Sequence, residues 1–179
     1  MASPTVTLWD PLVRVFHWSL VIIFVSNMYL NEQGGDWHQW LGYAAVVLLL
    51  VRFLWGFIGK GAARWSDFFP TPARLKQHVR ALVCGEPCHR LGHSPLGALV
   101  MILMMLAVLA LGITGYMMEE IDYFWGEDWV ENLHGIIANS LLGLVIVHIL
   151  AAVVESVRLR ENLPLSMVTG KRRNLPSDD

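Results

Sequence analysis

Four histidines lie inside or at the edge of long apolar stretches of this 179-residue sequence, and they are His17, His38, His134 and His148. His134 and His148 are 14 residues apart, which on an α-helix is about 21 Å of rise and about 40° short of four turns. Both imidazoles therefore leave nearly the same face, separated by most of the hydrocarbon thickness of a bilayer, about 30 Å. Because a polar group buried in lipid is costly without a partner, histidines at these depths indicate a functional site.

Two facing pairs of neutral imidazoles, stacked across a bilayer, suit two haems that have histidine on both axial sides. Copper is the main other metal that imidazole binds, but sites of two histidines each are a poor ligand set for copper. A single membrane histidine is more often a hydrogen-bonded interfacial residue, whereas four histidines at complementary depths are hard to explain in that way. The sequence therefore predicts a membrane electron carrier in which these four histidines ligate the iron of two haems.

The apolar composition sets the class of protein. Hydrophobic residues make up 55% of the chain and charged residues only 16%, whereas a soluble domain carries about 25% charged residues. We therefore expect one all-α integral membrane domain over residues 1–179, surrounded by lipid and without a nucleic-acid partner. The polar residues 3–10 and the lack of a small-residue cleavage site after the first apolar run predict that this run stays in the membrane.

Four apolar runs predict a four-helix membrane bundle, with spans at about residues 13–30, 38–58, 97–118 and 131–160. Each run is long enough to cross a bilayer, and an α-helix satisfies its own backbone hydrogen bonds in lipid. A shorter amphipathic helix is predicted at residues 73–83, after Thr71 and Pro72, with Leu75, Val79 and Leu82 at helical spacing. We expect this helix to lie on the headgroups.

The charges are distributed asymmetrically along the chain. The loops after the first and third spans carry eight carboxylates and no Lys or Arg, whereas all thirteen basic residues lie at or near the other ends of the spans. By the positive-inside rule, both termini and residues 60–93 should be cytoplasmic, and the acidic loops should face out. The eight carboxylates are Glu32, Asp36, Glu119, Glu120, Asp122, Glu127, Asp128 and Glu131.

This orientation predicts which histidines pair. The first span enters from the cytoplasm, so His17 should lie at the inner level with His148, which comes after His134 in the fourth span. The second and fourth spans start outside, so His38 should face His134 at the outer level. Small side chains flank these positions and leave room for a macrocycle edge, although they also permit plain helix packing. They are Gly42, Gly135, Ala138, Ala151 and Ala152.

Three further residues have two interpretations each. Arg14 and Arg52 should lie near the inner haem, where they could bind propionates in charge-assisted pairs or extend to the cytoplasmic headgroups. Together with His93 they could form a quinone headgroup site, although Ser94 and Pro95 favour His93 as part of a helix cap.

Cys84, Cys88 and His89 have one residue too many between the cysteines for covalent haem attachment, so an ordinary reduced pair is expected.

Several stretches resemble the small bacterial di-haem cytochromes b, a family that includes the cytochrome b subunit of Ni,Fe-hydrogenase. The resemblance covers essentially the whole chain. It is carried by residues 9–18 (WDPLVRVFHW), 38–43 (HQWLGY), 92–97 (GHSPLG) and 131–135 (ENLHG), and by the tail from residue 161 to residue 171. It implies a four-helix membrane bundle with two b-type haems that passes electrons between a quinone pool and another redox partner. Members of the family serve hydrogenases or other dehydrogenases, accept electrons from superoxide, or lie beside c-type cytochromes.

The leading hypothesis is thus respiratory electron transfer between quinone and a periplasmic redox partner. A superoxide-oxidising quinone reductase on the same scaffold and a non-redox membrane anchor for a peripheral dehydrogenase remain alternatives. The acidic loops should repel the superoxide anion and attract a cationic protein, such as a periplasmic c-type cytochrome. The sequence leaves open the direction of electron flow and whether the chain forms a homo-oligomer.

Overall fold

The structure is a computed structural model that describes residues 5–84 and 94–173. Apart from two strands of three residues each, its elements are helical. In chain order they are β1 (Thr5–Thr7), α1 (Pro11–Val25) with a π-helical turn (Ser26–Leu30), α2 (Asp36–Ile58), a 3-10 turn (Gly61–Ala63), α3 (Trp65–Phe68), α4 (Pro72–Cys84), α5 (Pro95–Glu120), a 3-10 turn (Asp122–Phe124), α6 (Asp128–Leu159), α7 (Leu163–Thr169) and β2 (Lys171–Arg173).

Four helical segments are long and apolar enough to cross a membrane, which confirms the predicted all-α membrane fold. They are Pro11–Leu30, Asp36–Ile58, Pro95–Glu120 and Asp128–Leu159, with mean hydropathies of 1.4, 2.1, 2.8 and 2.4. Each begins two or three residues before the predicted span, because the residue that opens each helix, Pro or Asp, falls outside the apolar pattern. Asp10 Oδ1 accepts from the Val13 N–H at 2.8 Å, and Ser94 Oγ accepts from the Gly97 N–H at 3.1 Å. Both contacts are N-terminal caps.

The described chain divides into two compact units. The first contains Met1–Arg14, Trp55–Met101 and Val147–Asp179, and we call it the terminal unit. The second contains Val15–Leu54 and Ile102–Ile146, and we call it the loop unit because both acidic loops belong to it. His38 and His134 therefore share the loop unit with His17, whereas His148 belongs to the terminal unit.

The first and last described segments of the chain meet in the terminal unit. β1 pairs antiparallel with β2, with Thr5 opposite Arg173 and Thr7 opposite Lys171. The N–H groups of Leu8 and Trp9 both donate to Gly170 O, at 2.9 and 3.1 Å. We call β1, α7 and β2 the terminal clasp. The clasp therefore joins the first and last described segments of the chain directly.

A small core and a buried ion pair stabilise the clasp. Trp9 is 5% exposed and packs with Val13 and Ala63, while its indole N–H donates to Ser166 Oγ at 3.2 Å. Arg172 Nη2 lies 2.9 Å from Glu161 Oε2, and the two side chains are only 6% and 11% exposed. Burial of an apolar side chain of this size contributes about 1.5–3 kcal/mol, so Trp9 is a principal anchor of the N-terminal segment.

The predicted amphipathic helix is present as α4 (Pro72–Cys84). Thr71 Oγ1 accepts from the Arg74 N–H at 3.3 Å, so the threonine caps the helix. His78 and Ala81 are buried in the protein, whereas Val79 is 44% exposed on another face. The helix thus has a buried side that the apolar spacing did not reveal, in addition to an exposed apolar residue.

Candidate functional site

The inward face of α2 carries both His38 and Arg52. Ala45, Leu49 and Arg52 are buried and follow one another at intervals of four and three residues. His38 lies seven residues before Ala45, and Gly42 lies seven before Leu49, so both continue this face toward the start of the helix. The arrangement places His38 at one end of the buried stripe and Arg52 two heptads away from it.

The fourth span presents its two histidines on one buried face. Val130 is fully buried and Leu141 is 5% exposed. His134 lies four residues after Val130 and seven before Leu141, and His148 lies seven residues after Leu141. Residues at these spacings share a helix face, so α6 turns His134 and His148 the same way, with Leu141 midway between them.

The structure brings the rings of His38 and His134 together. Their centroids are 6.3 Å apart and their planes are tilted by 56°. A metal–imidazole bond is about 2.0 Å long, and a five-membered ring with C–N bonds near 1.33 Å has a radius of about 1.1 Å. One metal atom bound by both rings therefore needs a separation of about 6.2 Å between centroids. The observed spacing fits two imidazoles on opposite sides of one iron atom.

A threonine of the third span holds His134. Thr114 is 5% exposed, and its Oγ1 lies 2.8 Å from His134 Nδ1. The same hydroxyl lies 2.9 Å from Ala110 O and 3.2 Å from Leu111 O. A hydrogen bond to Nδ1 is the usual way in which a protein orients an imidazole whose Nε2 binds a metal.

Open space lies beside Gly42, one turn after His38. A Cβ atom added at Gly42, one turn after His38, would have no atom within 4 Å, and one added at Gly115 would lie 3.7 Å from His134 Cε1. At Gly112, by contrast, an added Cβ would clash with Val46 Cγ2, so α5 approaches α2 closely there. The donor set, the tethered ring and the space beside Gly42 together fit a haem, whose macrocycle needs two axial imidazoles and room for its edge.

The π-helical turn after α1 fixes the backbone of His38. Asn27 Nδ2 donates to His38 O at 3.0 Å, and Asn31 Nδ2 donates to Asn27 Oδ1 at 3.0 Å. A π-helical turn shifts the register of the residues that follow it and often occurs at functional sites. Here it brings the Asn27 amide to the first turn of α2, and Asn31 donates to that amide.

The other candidate residues have separate surroundings. His17 is partly buried and contacts Trp18 edge to face, with ring centroids 5.2 Å apart. His17 and His148 lie in different units, so their pairing stays a prediction. Arg52 is 5% exposed, and Arg14 Nη1 donates to Val168 O at 2.7 Å, which attaches α1 to the end of α7. Their roles toward haem or quinone also stay predictions.

Some candidates lie outside the described residues. His93 is one of them, as are Cys88 and His89, while Cys84 is exposed at the end of α4. The sequence reasoning missed Thr114 and Asn27. A signal for Thr114 existed, since it is the only Ser or Thr in α5, and a hydroxyl in a spanning helix needs a hydrogen-bond partner.

All eight carboxylates of the two acidic loops are exposed, and they belong to the loop unit, together with His38 and His134. Glu120 accepts from the Tyr43 hydroxyl at 3.2 Å. Within residues 5–84 and 94–173, none of the eight forms a salt bridge with a basic group. The surface therefore keeps its negative field, which acts on charged partners over roughly a Debye length, about 8–10 Å at physiological salt.

Comparison with known proteins agrees with this chemistry. A model of the family described as prokaryotic cytochrome b561 matches residues 8–170. A probable Ni/Fe-hydrogenase B-type cytochrome subunit of Bradyrhizobium diazoefficiens is 26% identical over 219 aligned residues, covering 97% of this chain and 88% of the relative. A protein of the same description from Rhizobium leguminosarum bv. viciae is 25% identical, covering 94% of this chain and 89% of the relative. No solved structure matches.

The family match covers most of the described chain and includes all four spans with their histidines. Membrane electron transfer by b-type haem accounts for the apolar helices and for the imidazole pair at ligation distance. The chain belongs to the prokaryotic cytochrome b561 family of multi-pass membrane electron-transfer proteins.

Proposed function

We propose that this chain carries electrons across the bacterial inner membrane through two bis-histidine haems, between the quinone pool and a periplasmic redox partner. The observation that carries the proposal is the pair of rings, His38 and His134, at 6.3 Å. In this assignment the pair holds the outer haem, and His17 with His148 holds the inner one. Each haem supplies an iron atom that accepts and releases one electron.

The inner assignment rests on depth and on helix geometry. His148 shares a helix face with His134 and lies about 21 Å further along α6, in the cytoplasmic half of the span in the proposed orientation. His17 lies two turns into α1 from its start at Pro11, so it reaches a similar depth from the same side. A histidine within a span is expected to have a function, since its burial in lipid is otherwise unfavourable.

Arg52 and Arg14 are the proposed cationic groups of the inner side. Arg52 is buried on the same face of α2 as His38, which favours an inward role over extension to the headgroups. Arg14 gives one N–H to Val168 O, while its buried Nε has no hydrogen-bond partner in the described part of the chain. Both could donate to haem propionates or to a quinone carbonyl. His93 completes the proposed quinone site, although it lies outside the described residues.

The orientation and the outer partner follow from charge. The excess of Lys and Arg near the chain ends favours a cytoplasmic clasp and periplasmic acidic loops. Eight exposed carboxylates around the outer pair would slow the approach of superoxide and speed that of a cation. We therefore favour a cationic c-type cytochrome as the outer partner over superoxide oxidation. A non-redox anchor would have no use for two rings at ligation distance.

The names of the two relatives support a second candidate partner. Both are described as probable Ni/Fe-hydrogenase B-type cytochrome subunits and match nearly the whole chain. A hydrogenase could deliver its electrons to the outer haem and from there to quinone. The two candidates can be tested separately with the purified chain in liposomes. A hydrogenase partner should reduce the haem in the presence of hydrogen, whereas a c-type cytochrome partner should exchange electrons with the haem directly.

The haem stoichiometry of histidine variants tests the main proposal. The unmodified chain should bind two low-spin haems, and His134→Ala and His38→Ala should each lose the same one. His148→Ala and His17→Ala should lose the other haem and leave the first spectrum unchanged. A His148→Ala protein that retains two low-spin haems contradicts the inner assignment. Retention of both by His134→Ala contradicts the outer one.

A further inference from the structure

Thr114 occupies an unusual position for a hydroxyl group. It is 5% exposed in α5, the span with the highest mean hydropathy, 2.8. Its Oγ1 has three polar neighbours within hydrogen-bond distance: Ala110 O at 2.9 Å, Leu111 O at 3.2 Å and His134 Nδ1 at 2.8 Å. The way in which one hydroxyl serves three neighbours determines the state of the histidine.

The hydroxyl has one proton and two lone pairs. The carbonyl oxygens of Ala110 and Leu111 can only accept hydrogen bonds. Thr114 Oγ1 lies 2.9 Å from Ala110 O, and two oxygen atoms at this distance repel each other unless a hydrogen lies between them. The proton therefore points to the carbonyls of α5, which is the common arrangement for a threonine inside a helix. A lone pair of Oγ1 is then left facing His134 Nδ1, so this nitrogen must carry the hydrogen and donate it.

The ring of His38 differs in this respect. Its Nδ1 is buried and has no hydrogen-bond partner within the described residues; its backbone, rather than its ring, is held by Asn27. The two imidazoles that face each other are thus unequal, since one donates a hydrogen bond from Nδ1 to an oxygen acceptor and the other does not.

We propose that Thr114 is a positioning residue that selects the Nδ1–H form of His134 and strengthens its Nε2 as an electron donor to the outer haem. This inference rests on the proposed function and deepens it. A ring that donates from Nδ1 becomes a more basic ligand through its other nitrogen. A more basic ligand stabilises the oxidised iron, so Thr114 lowers the reduction potential of the outer haem and leaves the inner haem unaffected.

The test is a redox titration of the purified protein, followed by the visible spectrum, with four variants. Thr114→Val keeps the shape of the side chain and removes the acceptor, and Thr114→Ala removes the acceptor without adding bulk. Thr114→Ser restores the hydroxyl. Ser140→Ala is the matched control, because the Ser140 hydroxyl also donates to a helix carbonyl, Ile136 O at 2.8 Å, but forms no hydrogen bond with a histidine of the described residues.

We expect Thr114→Val and Thr114→Ala to raise the potential of one haem, the haem that His134→Ala removes. Thr114→Ser and Ser140→Ala should titrate like the unmodified protein. The low-spin ferric EPR signal of the same haem should shift in the two hydroxyl-free variants. If Thr114→Val fails to bind the outer haem, Thr114→Ala decides the question, since it cannot crowd the ring.

Unchanged potentials in both hydroxyl-free variants overturn the inference, as does an equal shift in Thr114→Ser. Failure of the underlying proposal has a different signature. If His134 did not ligate haem, His134→Ala would retain two haems whatever the Thr114 variants did. The two failures are therefore distinguishable in the same set of proteins.

Discussion

Replacing Gly42 with leucine tests directly whether a macrocycle lies beside His38. An added Cβ at Gly42 has no atom within 4 Å, and the methyl groups of leucine lie about 2.5 Å beyond Cβ. The methyl carbons therefore lie within the 4 Å around Cβ that other residues leave empty, and we expect the haem-free variant to fold and insert. If a haem edge occupies the same space, the leucine would overpack it, which should weaken haem binding by about 1–3 kcal/mol. Since 1.4 kcal/mol is a factor of ten, the outer haem should bind about 5- to 150-fold more weakly.

Haem transfer to excess apomyoglobin measures this effect, because a loss of affinity appears mainly as faster release. The release phase of the outer haem, identified by its absence in His38→Ala, should accelerate about 5- to 150-fold in Gly42→Leu. Gly143→Leu is the matched control, since Gly143 is exposed on α6 and also has no atom within 4 Å of an added Cβ. Release at the unmodified rate in Gly42→Leu would show that no macrocycle lies there, and the ring spacing would need another explanation.

Three further predictions concern the charged groups. Arg52→Gln should weaken quinol-dependent haem reduction about tenfold or more, because a hydrogen bond to a charged group contributes about 1.5–3 kcal/mol, and Arg52→Lys should recover part of it; equal kinetics in all three proteins would place the quinone elsewhere. Electron exchange with a basic c-type cytochrome should slow as salt rises, and the dependence should flatten when three outer carboxylates are neutralised together; a rate insensitive to both changes would exclude steering. The three carboxylates to be neutralised are Glu119, Glu120 and Asp122. Glu161→Gln removes the carboxylate that pairs with the buried Arg172, which should destabilise the clasp by about 3–5 kcal/mol and speed hydrogen exchange at the β1–β2 amides. The control Glu155→Gln breaks a partly exposed ion pair with Arg158, which should cost only about 0–1 kcal/mol.

The four spans could be predicted because each is encoded locally. An apolar run of about 20 residues has few alternatives to a spanning helix, and caps such as Ser94 lie within one turn of the run they begin. The errors of two or three residues arose at those caps. Polar residues such as Asp36 and Asp128 belong to the first turn of a helix, although they fall outside the apolar pattern.

Other features depend on contacts between distant residues. The clasp joins Thr5 to Arg173, and strands of three residues carry no periodicity that could indicate their pairing. In the sequence, the π-helical turn cannot be distinguished from the ordinary end of α1. The turn depends on the hydrogen bond from Asn27 to α2, and this contact leaves no local pattern in the sequence. The approach of His38 to His134 was expected from depth, but the role of Thr114 required the distance between two spans.

The terminal clasp imposes an order on biosynthesis. The partner of Thr7 is Lys171, which the ribosome adds 164 residues later. At about 5–20 residues per second, the N-terminal strand waits roughly 8–33 s for its partner. During this time all four spans emerge, so the strand pairing closes only after the last span is complete. Leu8 and Trp9 remain without their contacts to Gly170 and Ser166 until then, and in a nascent chain stopped after α6 the backbone of β1 would be unpaired.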